Sequence, residues 1–115
     1  MIRKTILLSA CVLALASCST TKQLYSWYNY ENITYQYSKK GTDELKLELL
    51  EQYQKMCDLQ KGSRLVPPPG MFAEYGYLLY KTGKEDEGLE FMKKEIDLYP
   101  ESETYISRII KQLEQ

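Results

Sequence analysis

Few side chains in this sequence combine the type and the spacing that covalent chemistry needs. The chain has no histidine and three cysteines, Cys11, Cys18 and Cys57. Without an imidazole, a thiolate at Cys57 has no base to activate it. Glu85, Asp86 and Glu87 stand together, and paired carboxylates can share acid–base work on a glycosidic bond. Their place at the start of a predicted helix explains them without catalysis, because the helix dipole favours acids there. No Gly-rich phosphate loop is present. The sequence therefore predicts no catalytic residue, no cofactor and no metal site. Cys18 differs from the other thiols in its surroundings. It ends the uncharged run from Ile6 to Ser17, after Arg3 and Lys4 and before the polar Ser19-Thr20-Thr21-Lys22. A cysteine so placed is half of a disulfide, a metal ligand, a buried thiol, or a group held outside the fold.

The flanks decide among these. A basic start, an apolar run of about 7–15 residues and a small residue before a cut describe a secretory signal. The run is shorter than the roughly 20 apolar residues of a membrane span. Leu15-Ala16-Ser17-Cys18 resembles the lipobox of bacterial lipoproteins. That resemblance implies a diacylglyceryl thioether on Cys18, cleavage after Ser17 and acylation of the new amino group. The thiol is the nucleophile toward the lipid, and small neighbours let a peptidase reach the bond. The expected organisation is a removed signal over 1–17, a lipidated cysteine and tether over 18–24, and one helical-repeat domain over 25–115. The expected location is the cell envelope, anchored in the outer membrane and facing the periplasm.

Loss of the signal takes Arg3 and Lys4 away, so the 15 basic residues fall by two against 16 acidic ones, and the net charge moves from −1 to −3. A mildly acidic surface argues against nucleic acid, which selects a basic face. It also gives no electrostatic grip on anionic lipid, so attachment rests on the acyl chains, at about 0.8 kcal/mol per buried methylene. Cys57 is then alone in an oxidising compartment, with no partner for an internal disulfide. It reads as a small buried side chain on a helix, or as the site of an intermolecular disulfide.

The elements that position these groups are helical. Trp27, Tyr30, Thr34 and Tyr37 recur at helical spacing, with Tyr28 and Tyr35 on a second stripe, and Gly41 ends the segment. A second helix is predicted over Asp43–Asp58, with Leu45, Leu49, Tyr53, Met56 and Cys57 on one side. Gly62 and the prolines Pro67 to Pro69 make a long connection. A third helix covers Met71–Lys81, with Phe72, Tyr75 and Leu79 inward. A fourth covers Lys84–Leu98, with Leu89, Met92, Ile96 and Tyr99 inward. Ser102 is the predicted N-cap of a last helix carrying Tyr105 or Ile106, Ile109, Ile110 and Leu113. The fold class is all-α.

The tetratricopeptide repeat has about 34 residues and a W-x2-L-G-x2-Y…A-x3-F…P spacing. Phe72, Tyr75, Gly76, Leu79, Gly83, Gly88, Met92 and Pro100 fall at its offsets, although several identities differ. Gly76 and Gly88 are expected to face each other where two antiparallel helices approach closely. The Trp27–Leu50 region reads as a worn copy, with Thr34 and Lys46 where small residues belong. The expected fold is tetratricopeptide-like hairpins closed by a C-terminal capping helix, because one hairpin cannot bury its own apolar face.

With these residues in view, the chain resembles a family of small bacterial lipoproteins of unknown function, numbered 4810. The resemblance rests on the lipobox, Trp27 with Tyr30-Glu31, Tyr35, Tyr37, Pro68-Pro69-Gly70, Ala73-Glu74, Gly76-Tyr77, Gly83, and Lys94-Glu95 through Ser102. Tyr28 and Gly88 depart from the family pattern. Members are often encoded beside a CsgG-like curli-secretion lipoprotein and another small lipoprotein. The resemblance thus implies an accessory role in an outer-membrane assembly or export complex, and it carries no catalytic residues. The expected function is a non-enzymatic, lipid-anchored interaction module with an envelope lipoprotein or CsgG-like partner and no small-molecule substrate. Trp27, Tyr30, Tyr77, Tyr80 and Lys81 are the candidate contacts, since tyrosine joins large area to a polar tip. The competing expectations are an enzyme on envelope polymers and a small envelope-stress lipoprotein.

Overall fold

A computed structural model describes residues 1–6 and 21–115. The lipobox and Cys18 lie outside the described residues. From residue 30 onward the chain runs α1 (Tyr30–Lys40), α2 (Asp43–Asp58), α3 (Met71–Lys81), α4 (Glu85–Leu98), a 3-10 turn (Pro100–Ser102) and α5 (Glu103–Leu113). The fold is all-α, and no strand occurs among the described residues. Gly41 ends α1 in the left-handed region at φ 62°, and its N–H donates to the Tyr37 carbonyl. Thr42 then caps α2 by accepting from the Leu45 N–H.

Two helical hairpins follow one another, and each closes its open end in the same way. In α1–α2, the buried Gln52 amide accepts the Asn29 N–H at the start of α1, at 3.2 Å. In α3–α4, the buried Glu95 carboxylate accepts the Gly70 N–H at the start of α3. Orphan N–H groups at a helix start need such acceptors, and here the second helix of each pair supplies one. Sequence reading missed both residues, because a polar side chain was not expected on an apolar face.

Ile33, Leu49, Tyr53, Met56, Met71, Tyr75 and Leu79 form one buried cluster across α1, α2 and α3. Ile33, not an aromatic residue, is the deepest side chain of α1. Trp27 does not continue the stripe of Tyr30, Thr34 and Tyr37. It precedes the helix in a turn, where its carbonyl accepts the Tyr30 N–H. An aromatic series runs from the exposed Trp27 into the core, through Tyr30 (5.7 Å), Tyr53 (5.9 Å), Tyr75 (6.2 Å) and Phe91 (4.6 Å). Such pairs add about 0.5–1.5 kcal/mol each beyond their area.

The α3–α4 pair is set by its glycines. A Cβ on Gly76 would lie 2.5 Å from the Gly88 carbonyl oxygen, and one on Gly88 would lie 2.5 Å from that of Gly76. Both obstacles are backbone, so no side chain can rotate away. Gly83, at φ 99°, makes the turn between the helices.

The ends depart from expectation in two ways. Ser102 stands at the N-cap position of α5 as expected but makes no capping bond: it has helical dihedrals inside the 3-10 turn, and its hydroxyl donates to the Tyr99 carbonyl at 2.7 Å. Pro100 starts that turn, which leads straight into α5 and leaves no extended residue to cap it. In α5 it is Ile106 that is buried, while Tyr105 is 69% exposed. At the other end, the segment expected as tether is partly fixed. The Ser63 N–H donates to the Gln23 carbonyl and the Arg64 N–H to that of Leu24. Gln60 brackets Ser26 by accepting its N–H and donating to its carbonyl. Gly62 admits this crossing, since any Cβ there would strike the Leu24 carbonyl.

Gly76→Ala tests the hairpin contact. Alanine gains roughly 1 kcal/mol of helix propensity, yet overpacking against fixed backbone costs about 1–3 kcal/mol. A net loss of stability is expected by urea unfolding followed by circular dichroism.

Candidate interaction groove

Where α3, α4 and α5 meet they enclose an open groove of about 590 Å³. Ala73, Glu74 and Tyr77 of α3 form one wall, and Tyr105, Ile106 and Ile109 of α5 form the other. Met92 and Glu95 of α4 line it between them, with Tyr99 at one end. The helical period dictates this set: residues 73 and 77, 92 and 95, and 105 and 109 are each one turn apart. The surface is mainly apolar, with carboxylates from Glu74, Glu95 and Glu101.

Glu95 is 2% exposed. One carboxylate oxygen takes the Gly70 N–H, and the other, Oε2, has no hydrogen-bond donor. Burial pushes its pKa up, against the opposing pull of the Gly70, Ala73 and Phe72 N–H groups at the start of α3. Glu74 sits at the opposite extreme, exposed but heavily used. Tyr30 Oη donates to its Oε2 at 2.8 Å and Tyr53 Oη to the same oxygen at 3.0 Å. Burial and this carboxylate together push the Tyr30 hydroxyl up to about 12, and Tyr53 shifts the same way for the same reasons.

Through Glu74 the groove joins the aromatic edge of α1. Tyr77 lines the groove, Tyr30 bonds to its wall, and Trp27 packs on Tyr30. Three of the five predicted contact residues thus lie along one connected surface. Tyr80 and Lys81 do not belong to it. The Tyr80 hydroxyl donates to the Leu113 carbonyl at 2.8 Å and so holds the end of α5. Lys81 is exposed and lies outside the groove lining. Glu95 and Tyr105 were missed as site residues. Glu95 had a signal, since it falls one turn from both Met92 and Tyr99 on the inward stripe of α4.

Cys57 is half-buried and unpaired. Burial, then the charges of Asp58 and Glu95, pushes its thiol up to about 12, so it is not a ready nucleophile. Glu85, Asp86 and Glu87 are exposed in the first turn of α4. Among the described residues, no group of three or more histidine, cysteine, aspartate or glutamate side chains could hold a metal ion. No helix among them is long and apolar enough to cross a membrane.

Fold and groove define a small all-α domain of two helical hairpins and a last helix, with an apolar groove between α3, α4 and α5. Residues 24–109 match the family described as a domain of unknown function (DUF4810), and the chain belongs to that family. Among curated proteins and solved structures, nothing matches the chain.

Two variants test the site's electrostatics. The folded state holds the Glu95 proton more tightly than the unfolded chain, whose glutamate titrates near 4.5. The native state therefore binds more protons just above pH 4.5, and this group lowers stability as pH rises through that window. Glu95→Gln removes the effect, so its stability relative to wild type should improve between pH 4.5 and 7 in urea titrations. Tyr53→Phe should cost about 1 kcal/mol by losing its hydrogen bond to Glu74. In a Glu74→Ala background that loss should fall toward zero in a double-mutant cycle.

Proposed function

We propose that the protein is a non-enzymatic interaction module, lipid-anchored through Cys18 in the bacterial cell envelope, that receives a partner polypeptide in the α3–α4–α5 groove. The observation that carries this reading is the groove itself. Its walls expose Tyr77 (44%) and Tyr105 (69%) beside the half-buried Ala73 and Ile109, over a floor of buried Ile106 and Met92. Contiguous apolar surface with a polar rim is the composition of a binding site. The spacing of Gly76, Gly88 and Pro100 supports a tetratricopeptide-like unit, an architecture that offers such surfaces along stacked hairpins.

The anchor reading rests on the lipobox-like Leu15-Ala16-Ser17-Cys18 and its signal-like flank. Gln23 is already bonded to the domain, and it follows Cys18 by five residues. At about 3.3–3.6 Å per extended residue, the tether reaches roughly 18 Å at most. A domain so tied stays beside the membrane and meets partners there. The family resemblance adds the proposal that this partner is an envelope lipoprotein or CsgG-like component at the periplasmic face of the outer membrane.

Labelled palmitate should enter the wild type and not Cys18→Ala; labelled mutant protein would remove the anchor. A photo-crosslinking residue at Tyr105 should capture a discrete envelope protein in cells. The same residue at Leu47, exposed on α2 and outside the groove lining, should not. Capture from Leu47 with none from Tyr105 would move the interface elsewhere.

A further inference from the structure

Among the residues that line the groove, three are glutamates, Glu74, Glu95 and Glu101, and none is lysine or arginine. A carboxylate as deeply buried as Glu95 needs a cation or a full set of donors to offset its lost hydration. Here Oε2 has no donor.

Helix capping accounts for one of the two carboxylate oxygens and leaves Oε2. Gln52 occupies the matching place in the first hairpin and accepts the Asn29 N–H with a neutral amide. An amide would serve Gly70 equally well. The Gly70, Ala73 and Phe72 N–H groups at the start of α3 offset part of the charge at residue 95, but Oε2 is left without a donor beside an open groove.

We infer that the groove binds a partner segment that presents a lysine or arginine flanked by apolar side chains. This inference rests on the groove being the partner site. The apolar flanks fit the accessible Ala73 and Ile109, which lie over the buried Met92 and Ile106. The cation lies in the field of Glu95, Glu74 and Glu101, acting through packed side chains rather than bulk water, which strengthens it. Tyr77, Tyr99 and Tyr105 line the groove and are of the side-chain type that holds a cationic head group. The chain's net negative charge steers a basic segment in the same direction.

The test uses the full-length purified protein and fluorescein-labelled nonapeptides in a Gly/Ser background. Each peptide carries one central lysine or arginine between leucines, and matched peptides carry glutamine or glutamate there. By fluorescence anisotropy, the basic peptides should bind about tenfold tighter than the glutamine peptide. The gap should narrow with salt. Glu95→Gln should reduce it to about threefold or less while circular dichroism stays native. The exposed Glu101→Gln should narrow it too, which keeps the test valid if Glu95→Gln does not fold. Tyr105→Ala should weaken all peptides alike.

If all peptides bind equally and Tyr105→Ala weakens them all, the basic-partner inference falls and the groove reading stands. If no peptide binds and Tyr105 crosslinks to nothing, both fall. A dimer of the chain that Tyr105→Ala dissociates would put a second copy in the groove and overturn the inference.

Discussion

The close approach of α3 and α4 at Gly76 and Gly88 is the constraint on which the rest of the domain depends. Each glycine leaves only enough room for the other's carbonyl. With the helices so near, Met92 is fully buried beneath Gly76, and Glu95 reaches the first turn of α3. The hairpin is tied at one end by the Thr82-Gly83 turn and at the other by the Glu95 carboxylate. A wider spacing would lose the cap and open the floor of the groove.

The first hairpin packs on this unit through the buried apolar cluster and is pinned to it by one exposed carboxylate. Tyr30 from α1 and Tyr53 from α2 both donate to Glu74 on α3. The tyrosine rings pack against one another, while their hydroxyls meet at the groove wall. The aromatic density of the sequence thus has two uses. Rings build the interior between hairpins, and hydroxyls fix the register of α1 and α2 against α3. Tyr80 and Tyr99 repeat the device, donating to the Leu113 and Pro67 carbonyls.

The long connection between the hairpins looks like an irregularity in the repeat, yet it has a defined role. Residues 60–64 hydrogen-bond to the backbone of residues 23, 24 and 26 and to the Ser26 hydroxyl, and bring the start of the domain onto its body. The glycine within the overrun, Gly62, is where the two segments cross. The extra length therefore serves attachment of the N-terminal segment rather than the hairpin period.

Much of this was legible in the sequence. Apolar periodicity located the helices, with α2 and α3 as predicted and α4 one residue later, because local pattern and turn chemistry decide element ends. The facing of Gly76 and Gly88 was legible too, since only close backbone contact compensates glycine inside a helix. Which tyrosines are free was not legible. Trp27, Tyr30 and Tyr77 fell along one surface, while Tyr80 was consumed in holding α5. Periodicity assigns a face, but a hydroxyl's partner lies tens of residues away and depends on how helices are set in space. Glu95 makes the same point most sharply. Composition counts it as one surface acid among 16, and only the packing of α4 under the start of α3 turns it into a buried carboxylate beside a groove.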